Sequence, residues 1–302
     1  MKFDVVSFGS AVIDVFVGTD VSENKNLISY PVGGKILIKD LKFDVGGGGT
    51  NTAVAFSRLN FKTGCICELG KDENGTKILN LLNKENVKFL GKSVEGELTG
   101  YSVILDSKGG ERTILTYKGA NDEITLTDIP KFETKWLYFS SLIGKSFETQ
   151  KILAIKLKEK GTKLAFNPSS YQIKNKNLTP LLRITDVLIL NKEEAGMLLN
   201  KEGSKEKDLL KGLYNLMEGI VVITDKDKLI TCYDGKEKYF LKPHNIKVVE
   251  RTGAGDAFAS GFVAGRIINK SIMECLKLGL RESESVIKYF GAKNNLLRFK
   301  LK

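Results

Sequence analysis

The sequence predicts an α/β fold built on a mainly parallel sheet, and three observations predict it. Short apolar runs alternate with longer segments of helical periodicity along most of the chain. No internal repeat or low-complexity linker interrupts that alternation. Two glycine-rich turns, "GGGG" at 46–49 and "TGAG" at 252–255, each run straight into a segment with helical spacing. Alternation of this kind builds βαβ units whose crossover helices cover a parallel sheet. At 302 residues, 42% apolar and 27% charged, the chain has ordinary globular composition and lies at the upper end for one core. Residues 1–302 are expected to form a single domain.

The apolar run "VVSF" at 5–8 is the first predicted strand. The small-residue segment after the first glycine cluster predicts a helix over 50–59, "CICEL" a strand over 65–69, and the next periodic segment a helix over 73–83. Further on, strands are predicted over 136–140, 164–167, 187–191 and 220–224, with helices over 147–158 and 205–217 between them. Two segments break the alternation, 15–43 and 99–118. In the second, "YSVILDSKGGERTILTY" sets two β-rich runs around an "SKGG" turn, with polar and apolar residues alternating. Two readings stay open: a small separate sheet lying as a lid over the strand ends, where ligands of open α/β sheets bind, or a plain edge hairpin.

Charge and cysteine usage exclude several classes. The net charge of +11 comes from lysines interleaved with acids at spacings of solvated helix faces, with no arginine-rich block and no aromatic-studded basic strand, so nucleic acid is not an expected partner. The four cysteines form no paired CxxC; Cys65 and Cys67 are expected on one strand face as buried thiols. No stretch approaches the roughly 20 apolar residues of a membrane span, and "MKFDVVSFGS" is too short an apolar run for a signal peptide, so a cytoplasmic location is expected. The sole histidine, His244, lacks a GxSxG partner and is expected in a surface loop, which speaks against a serine hydrolase or a metallohydrolase. "FGSAVID" carries one glycine where a dehydrogenase would need a dinucleotide fingerprint.

The chemistry is concentrated in the glycine clusters. In "VVERTGAGDAFASGF", Gly253, Ala254 and Gly255 precede Asp256 at a predicted helix start. A turn of this kind aims unpaired N–H groups and the positive end of the helix dipole at one point, an anion site with a carboxylate beside it. An ordinary capped helix has the same residues. In "GGGGTNTAVAFSRL", four glycines bare the backbone and Asn51 offers both donors and acceptors, which suits a polyhydroxylated ligand. It is not a P-loop, since no GKS or GKT ends it, and position 258 is Phe rather than the Gly of GxGxxG.

With both clusters in this order and about 200 residues apart, the chain resembles the ribokinase-like, or PfkB, family of carbohydrate and nucleoside kinases over essentially its full length. "FGSAVIDVF" with Asp14, "GKDENG" at 70–75, "KGAN" at 118–121 and "NKEEA" at 191–195 agree as well. The resemblance implies a three-layer sandwich with a mainly parallel central sheet and a small β-sheet lid. It implies an ATP-dependent kinase that moves the γ-phosphate to a hydroxyl of a sugar or nucleoside. Asp256 takes the place of the general base, Gly253, Ala254 and Gly255 that of the anion hole, and Asp14, Gly46, Gly47 and Asn51 that of the acceptor-hydroxyl ligands. Asn191 and Glu194 match the family's NxxE motif, which places magnesium and phosphate, and Thr224 matches a nucleotide phosphate contact. An ordinary first-turn acid is the structural alternative for Glu194.

The chain also departs from the pattern. Glu250 stands where the family usually has Asp, followed by Arg251, which puts dependence on a monovalent cation such as K⁺ in doubt. "TDKDKLI" replaces the glycines that approach the nucleotide, so Lys226 and Lys228 are candidate phosphate contacts. Arg281 and Glu282 stand where members often carry small residues or Asn near the adenine, leaving ATP, ADP and GTP open as donor. Arg112 or Lys118 would serve a substrate phosphate, or be solvated strand charges. Tyr101, Ile104 and Leu105 would wall a sugar or base, or pack the sheet. Mg²⁺ is an expected cofactor and a homodimer through the lid an expected assembly. The rival reading is a non-catalytic relative that binds a sugar or nucleotide and acts through a partner.

Overall fold

The computed structural model describes residues 1–25, 27–108, 112–175 and 177–298. The chain opens with β1 (Lys2–Phe8), β2 (Val12–Gly18) and β3 (Asp40–Gly46), then α1 (Gly48–Arg58), β4 (Thr63–Ile66), β5 (Glu68–Gly70) and α2 (Glu73–Lys84). Short strands β6 (Lys88–Phe89) and β7 (Lys92–Val94) lead to β8 (Gly100–Asp106) and β9 (Arg112–Tyr117). Next come β10 (Glu133–Ser140), α3 (Gly144–Lys158), β11 (Lys163–Asn167), α4 (Ser170–Asn175), α5 (Thr179–Leu182), β12 (Val187–Asn191) and α6 (Lys192–Leu199). The last part holds α7 (Glu206–Met217), β13 (Ile220–Thr224), β14 (Ile230–Tyr233), β15 (Lys238–Leu241), α8 (Ala254–Ile267) and α9 (Ile272–Val286).

The main sheet runs β15-β14-β13-β12-β11-β10-β1-β4-β6. Its pairs are parallel from β6 to β13 and antiparallel at β13-β14-β15. Apolar runs such as "VLIL" in β12 are buried on both faces, as a covered parallel sheet requires. Alternation sends Leu137, Phe139, Leu188 and Leu190 into one core beneath α3, α5 and α7. Tyr138, Val187 and Ile189 go to the opposite core beneath α8 and α9. These are the three layers of the expected sandwich.

Four strands form a separate sheet, ordered β3-β2-β8-β9, with β2 and β8 parallel and the outer pairs antiparallel. Its first strand begins at Val12, ahead of the expected segment, and residues 19–39 carry an isolated bridge between Asn24 and Leu27 rather than strand. β8 and β9 pair as a hairpin, while Gly109 and Gly110 of the "SKGG" turn lie outside the described residues. The strand expected over 65–69 divides at Cys67: β4 stays in the main sheet and β5 leaves it to pair with β7. A bend in mid-run cannot be read from an unbroken apolar stretch. Both thiols are buried nonetheless, their Sγ atoms 3.9 Å apart.

Two motifs tie the sheets together. Asp72 caps α2 by accepting from Gly75 N (2.7 Å) and also accepts from Thr99 N (2.8 Å), which anchors the entry to β8. Asn121 is fully buried; its Oδ1 accepts from Ala11 N (2.7 Å) and its Nδ2 donates to Ala11 O (2.9 Å), fixing the chain just before β2.

Candidate active site

Polar residues close the apolar strands at one end of the main sheet: Ser140 on β10, Asn167 on β11, Asn191 on β12 and Thr224 on β13. The register sets Ser140 beside Asn167 and Asn191 beside Thr224. They line a cleft of about 370 Å³ together with Gly48, Lys118, Glu194, Gly253, Gly255 and Asp256. The cleft thus lies outside the carboxyl ends of the parallel strands, where open α/β sheets bind ligands.

Asp256 enters this cleft from the first turn of α8. Gly253 caps that helix in the left-handed region (φ 76°), and a Cβ there would stand 2.5 Å from the Ala292 Cβ, so the turn requires glycine. A Cβ on Gly255 would meet nothing within 4 Å; its backbone faces open space. Of the three expected anion-hole amides, that of Ala254 already donates to Arg251 O (3.2 Å), because the left-handed turn at Gly253 brings that carbonyl back, so the backbone at Gly255 is what the turn leaves for an anion.

α1 reaches the cleft through Gly48, while Asp14, Gly46, Gly47 and Asn51 are not among its lining residues and join it through Asp256. The cap of α1, Gly47, has φ 93°, and Asn51 lies in its first turn. Asn51 Nδ2 donates to Asp256 Oδ2 at 2.7 Å. Asn51 Oδ1 accepts from the ammonium of Lys293, which also donates to Val45 O. Asp14, centred on β2, is 7% exposed and stands against the bare backbone of Gly46, where a Cβ would fall 1.8 Å from its Oδ2.

Burial pushes the Asp14 carboxyl up to about 6, opposed by Lys293 and by a hydrogen bond from Ser102, and reinforced by Asp44 and Asp256. Burial likewise raises Asp256, against the Asn51 hydrogen bond and the charge of Lys293. Lys293 itself is pushed down to about 8 by burial, although Asp44, Asp14 and Asp256 pull it up.

Asn191 caps α6, accepting from Glu194 N (2.8 Å), and Glu194 returns the contact by accepting from Asn191 N (3.0 Å). The structural alternative for Glu194 is therefore present, yet its carboxylate also lines the cleft, and burial raises its pKa. Among the described residues no group of three or more His, Cys, Asp or Glu is placed to hold a metal. A lone carboxylate beside a phosphate site fits Mg²⁺, which is usually held by one or two carboxylates and substrate phosphates.

Several candidates lie elsewhere. Arg112 grips Glu250 through both guanidinium nitrogens and donates to Thr252 Oγ1 (3.1 Å), so it braces the loop before Gly253 rather than waiting for a substrate phosphate. Burial alone would raise the Glu250 carboxyl, but Arg112 and Thr252 outweigh it and hold it low. Lys226 and Lys228 are exposed on the turn after β13, outside the cleft lining, with Lys228 3.7 Å from Asp225. Arg281 and Glu282 are not cleft-lining either; Glu282 is buried and accepts from Leu297 N (3.2 Å). Lys118 does line the cleft, its Nζ 5.9 Å from the centre of the Tyr171 ring. Tyr101 packs toward the core around Ile78 and Leu82, Ile104 is buried on the opposite face of β8 with Ser102, and neither these two nor Leu105 lines the cleft. His244 is exposed, with Nδ1 3.0 Å from Glu284.

Sequence reasoning missed Ser140, Asn167 and Lys293. The first two had a signal, since each is the polar residue that ends a predicted strand. Lys293, in "GAKNN" beyond the last helix, had none.

The sequence model of the pfkB family of carbohydrate kinases matches residues 2–298. The chain is 26% identical to the ribokinase of Haemophilus influenzae over 260 residues, covering 83% of each chain. It is 28% identical to the 5-dehydro-2-deoxygluconokinase of Clostridium perfringens over 303 residues, covering 92% of this chain and 85% of the relative. Among solved structures, the ribokinase of Giardia lamblia superposes with TM-score 0.85 at 20% identity, covering 98% and 97% of the two chains. The adenosine kinase of Sinorhizobium meliloti superposes at 0.83 with 22% identity, covering 97% and 96%.

Proposed function

The chain belongs to the PfkB family of carbohydrate kinases, and from that premise we propose that it transfers the γ-phosphate of ATP to a sugar hydroxyl, with Asp256 as the general base. The observation that carries this is the meeting, at the strand ends, of a carboxylate and the glycine-bared first turn of the same helix, with Asn51 bonded to one carboxylate oxygen. The other oxygen, Oδ1, faces Gly48, whose missing side chain leaves that approach open.

In the proposed reaction the acceptor oxygen attacks the γ-phosphorus while its proton passes to Asp256. The new O–P bond forms as the bond from the γ-phosphorus to the β,γ-bridging oxygen breaks, and ADP leaves with that electron pair. The amides of Gly253 and Gly255 meet the charge on the transferring oxygens, and that of Ala254 would join them only by leaving Arg251 O. Asp14, Gly46, Gly47 and Asn51 frame the acceptor, and Asn191 and Thr224 hold the nucleotide phosphates. Asn191 and Glu194 would hold Mg²⁺, which when bound supplies charge neutralisation for the phosphates. The small sheet excludes water, a competing acceptor.

The ribokinase and deoxygluconokinase relatives favour a sugar-type acceptor over a nucleoside. The carboxylates of Asp14, Asp44 and Asp256 outnumber the single ammonium of Lys293, which favours a neutral polyol end at this wall.

The test is nucleotide turnover with Mg²⁺ and ATP, ADP or GTP against pentoses, hexoses, keto-deoxy acids and nucleosides. Asp256→Asn should lower kcat on the order of 10²-fold or more, as loss of a general base does. An undiminished kcat would remove Asp256 from the chemistry; a silent wild type with every acceptor would favour a ligand-binding relative.

A further inference from the structure

Lys293 is 3% exposed, a lysine held almost wholly out of water beside the proposed reacting groups. Buried lysines are rare unless paired, because an ammonium loses its hydration there. Its surroundings are built to hold it. The backbone carbonyl of Lys293 accepts from Arg58 Nη1 at 2.5 Å. Arg58 is in turn gripped by Glu85 (2.7 and 2.9 Å), and Arg298 closes on the same carboxylate (3.0 and 3.2 Å). The loop after α9 is thus pinned to α1, and the side chain reaches back across the site.

What it does there follows from its contacts. A carboxamide beside a carboxylate can present either end. With the Lys293 ammonium on Oδ1, Asn51 must turn its N–H₂ toward Asp256, where the 2.7 Å bond is found. The charges facing Lys293 are Asp14 from β2, Asp44 from β3, Asp256 from α8 and Arg58 from α1. Those facing Asp256 are Lys293 and the buried phenol of Tyr138 on β10, with Asp14 beyond. Lys293 is therefore the positive charge felt by both Asp14 and Asp256.

We propose that Lys293 is a positioning residue for phosphoryl transfer: through Asn51 it orients the base, and through its charge it keeps Asp256 ionised beside Asp14 once the acceptor displaces water. This rests on the reading of Asp256 as the base. Loss of the ammonium should raise the proton affinity of Asp256 by on the order of tenfold, one pH unit.

The experiment is a ¹³C titration of the free protein labelled at aspartate Cγ and lysine Cε, with Asp256→Asn and Lys293→Met assigning the two resonances. In the wild type, Asp256 should show a second inflection at the pH where Lys293 itself titrates. In Lys293→Met and Lys293→Gln its main midpoint should move up by about one pH unit. Gln keeps a donor for Asn51 and Met does not, so kcat should fall further in Met. The wild-type titration needs no substitution at Lys293 beyond assignment, so a variant that folds poorly, seen by thermal melting, does not decide the matter. A single Asp256 inflection in the wild type, or unchanged midpoints in folded variants, overturns the inference. If Asp256→Asn also abolishes turnover, that failure belongs to Lys293 alone. Coupling found together with undiminished turnover of Asp256→Asn would overturn the base reading, and the catalytic assignment of Lys293 with it.

Discussion

Asp14 belongs to the small sheet, in register with Ser102 on β8 and with Asp44 on β3, and it is buried there with little access to water. Its charge is carried at a cost, which makes it a test of whether the site is maintained for function. The sign follows from its raised pKa: the folded state holds a proton more tightly than the unfolded chain between the ordinary aspartate range and about 6. The penalty is absent below that window and fully present above it. Asp14→Asn should therefore raise Tm relative to wild type at pH 7.5, by a stability increment on the order of 1–2 kcal/mol, and the gain should shrink toward zero near pH 4. Melting curves at the two pH values check this; an equal gain at both would mean the carboxylate is not the source. At this scale Asn51 and Asp256 stood out because short polar side chains follow glycine clusters, whereas Asp14, in an apolar strand, stood out only through the family resemblance. Lys293 was not, because its role depends on a loop returning across the whole fold.

Arg112 lies on β9, while Glu250 precedes the turn into α8, 138 positions away in sequence. Their ion pair ties the small sheet to the loop before α8, since Glu250 also accepts from the backbone of Arg251 (2.6 Å) and Thr252 (2.8 Å). Removing one partner of a buried pair leaves a charge uncompensated, whereas removing both does not. Arg112→Met should lower Tm and raise the acceptor KM, by an amount on the order of 1–3 kcal/mol in stability given that the arginine is partly exposed. Arg112→Met with Glu250→Gln should recover part of the Tm, and a double-mutant cycle in which the two losses simply add would deny the coupling. The sequence marked Glu250 as a departure and Arg112 as a lid charge, but nothing in either stretch says that they meet. The strand predictions from 136 to 224 succeeded for the opposite reason: strands buried on both faces write their identity as unbroken apolar runs.

For the molecule as a whole, the small sheet leaves several large apolar residues uncovered. Leu41 and Phe43 on β3, and Ile114, Leu115 and Tyr117 on β9, are all about half exposed or more. These strands are also the sheet's two edges, with ladder groups open for pairing. The lid-mediated homodimer is proposed on that ground: sedimentation should give twice the mass of one chain, and Phe43→Asp with Ile114→Asp should give monomer. A wild-type monomer at micromolar concentration would reject it. The three-layer plan was legible because the alternation of runs is a property of the entire chain; the partner of an exposed sheet is not written in either strand.

The bond between Lys293 and Asn51 spans 242 positions of sequence. On a ribosome the glycine cluster, Asp14 and Asn51 emerge early, and the sheet can assemble strand by strand behind them. The ammonium that sets their amide emerges after every strand and helix described here. On the proposed role of Lys293, a chain lacking the loop after α9 would carry Asn51 and Asp256 without the ammonium that sets the amide between them.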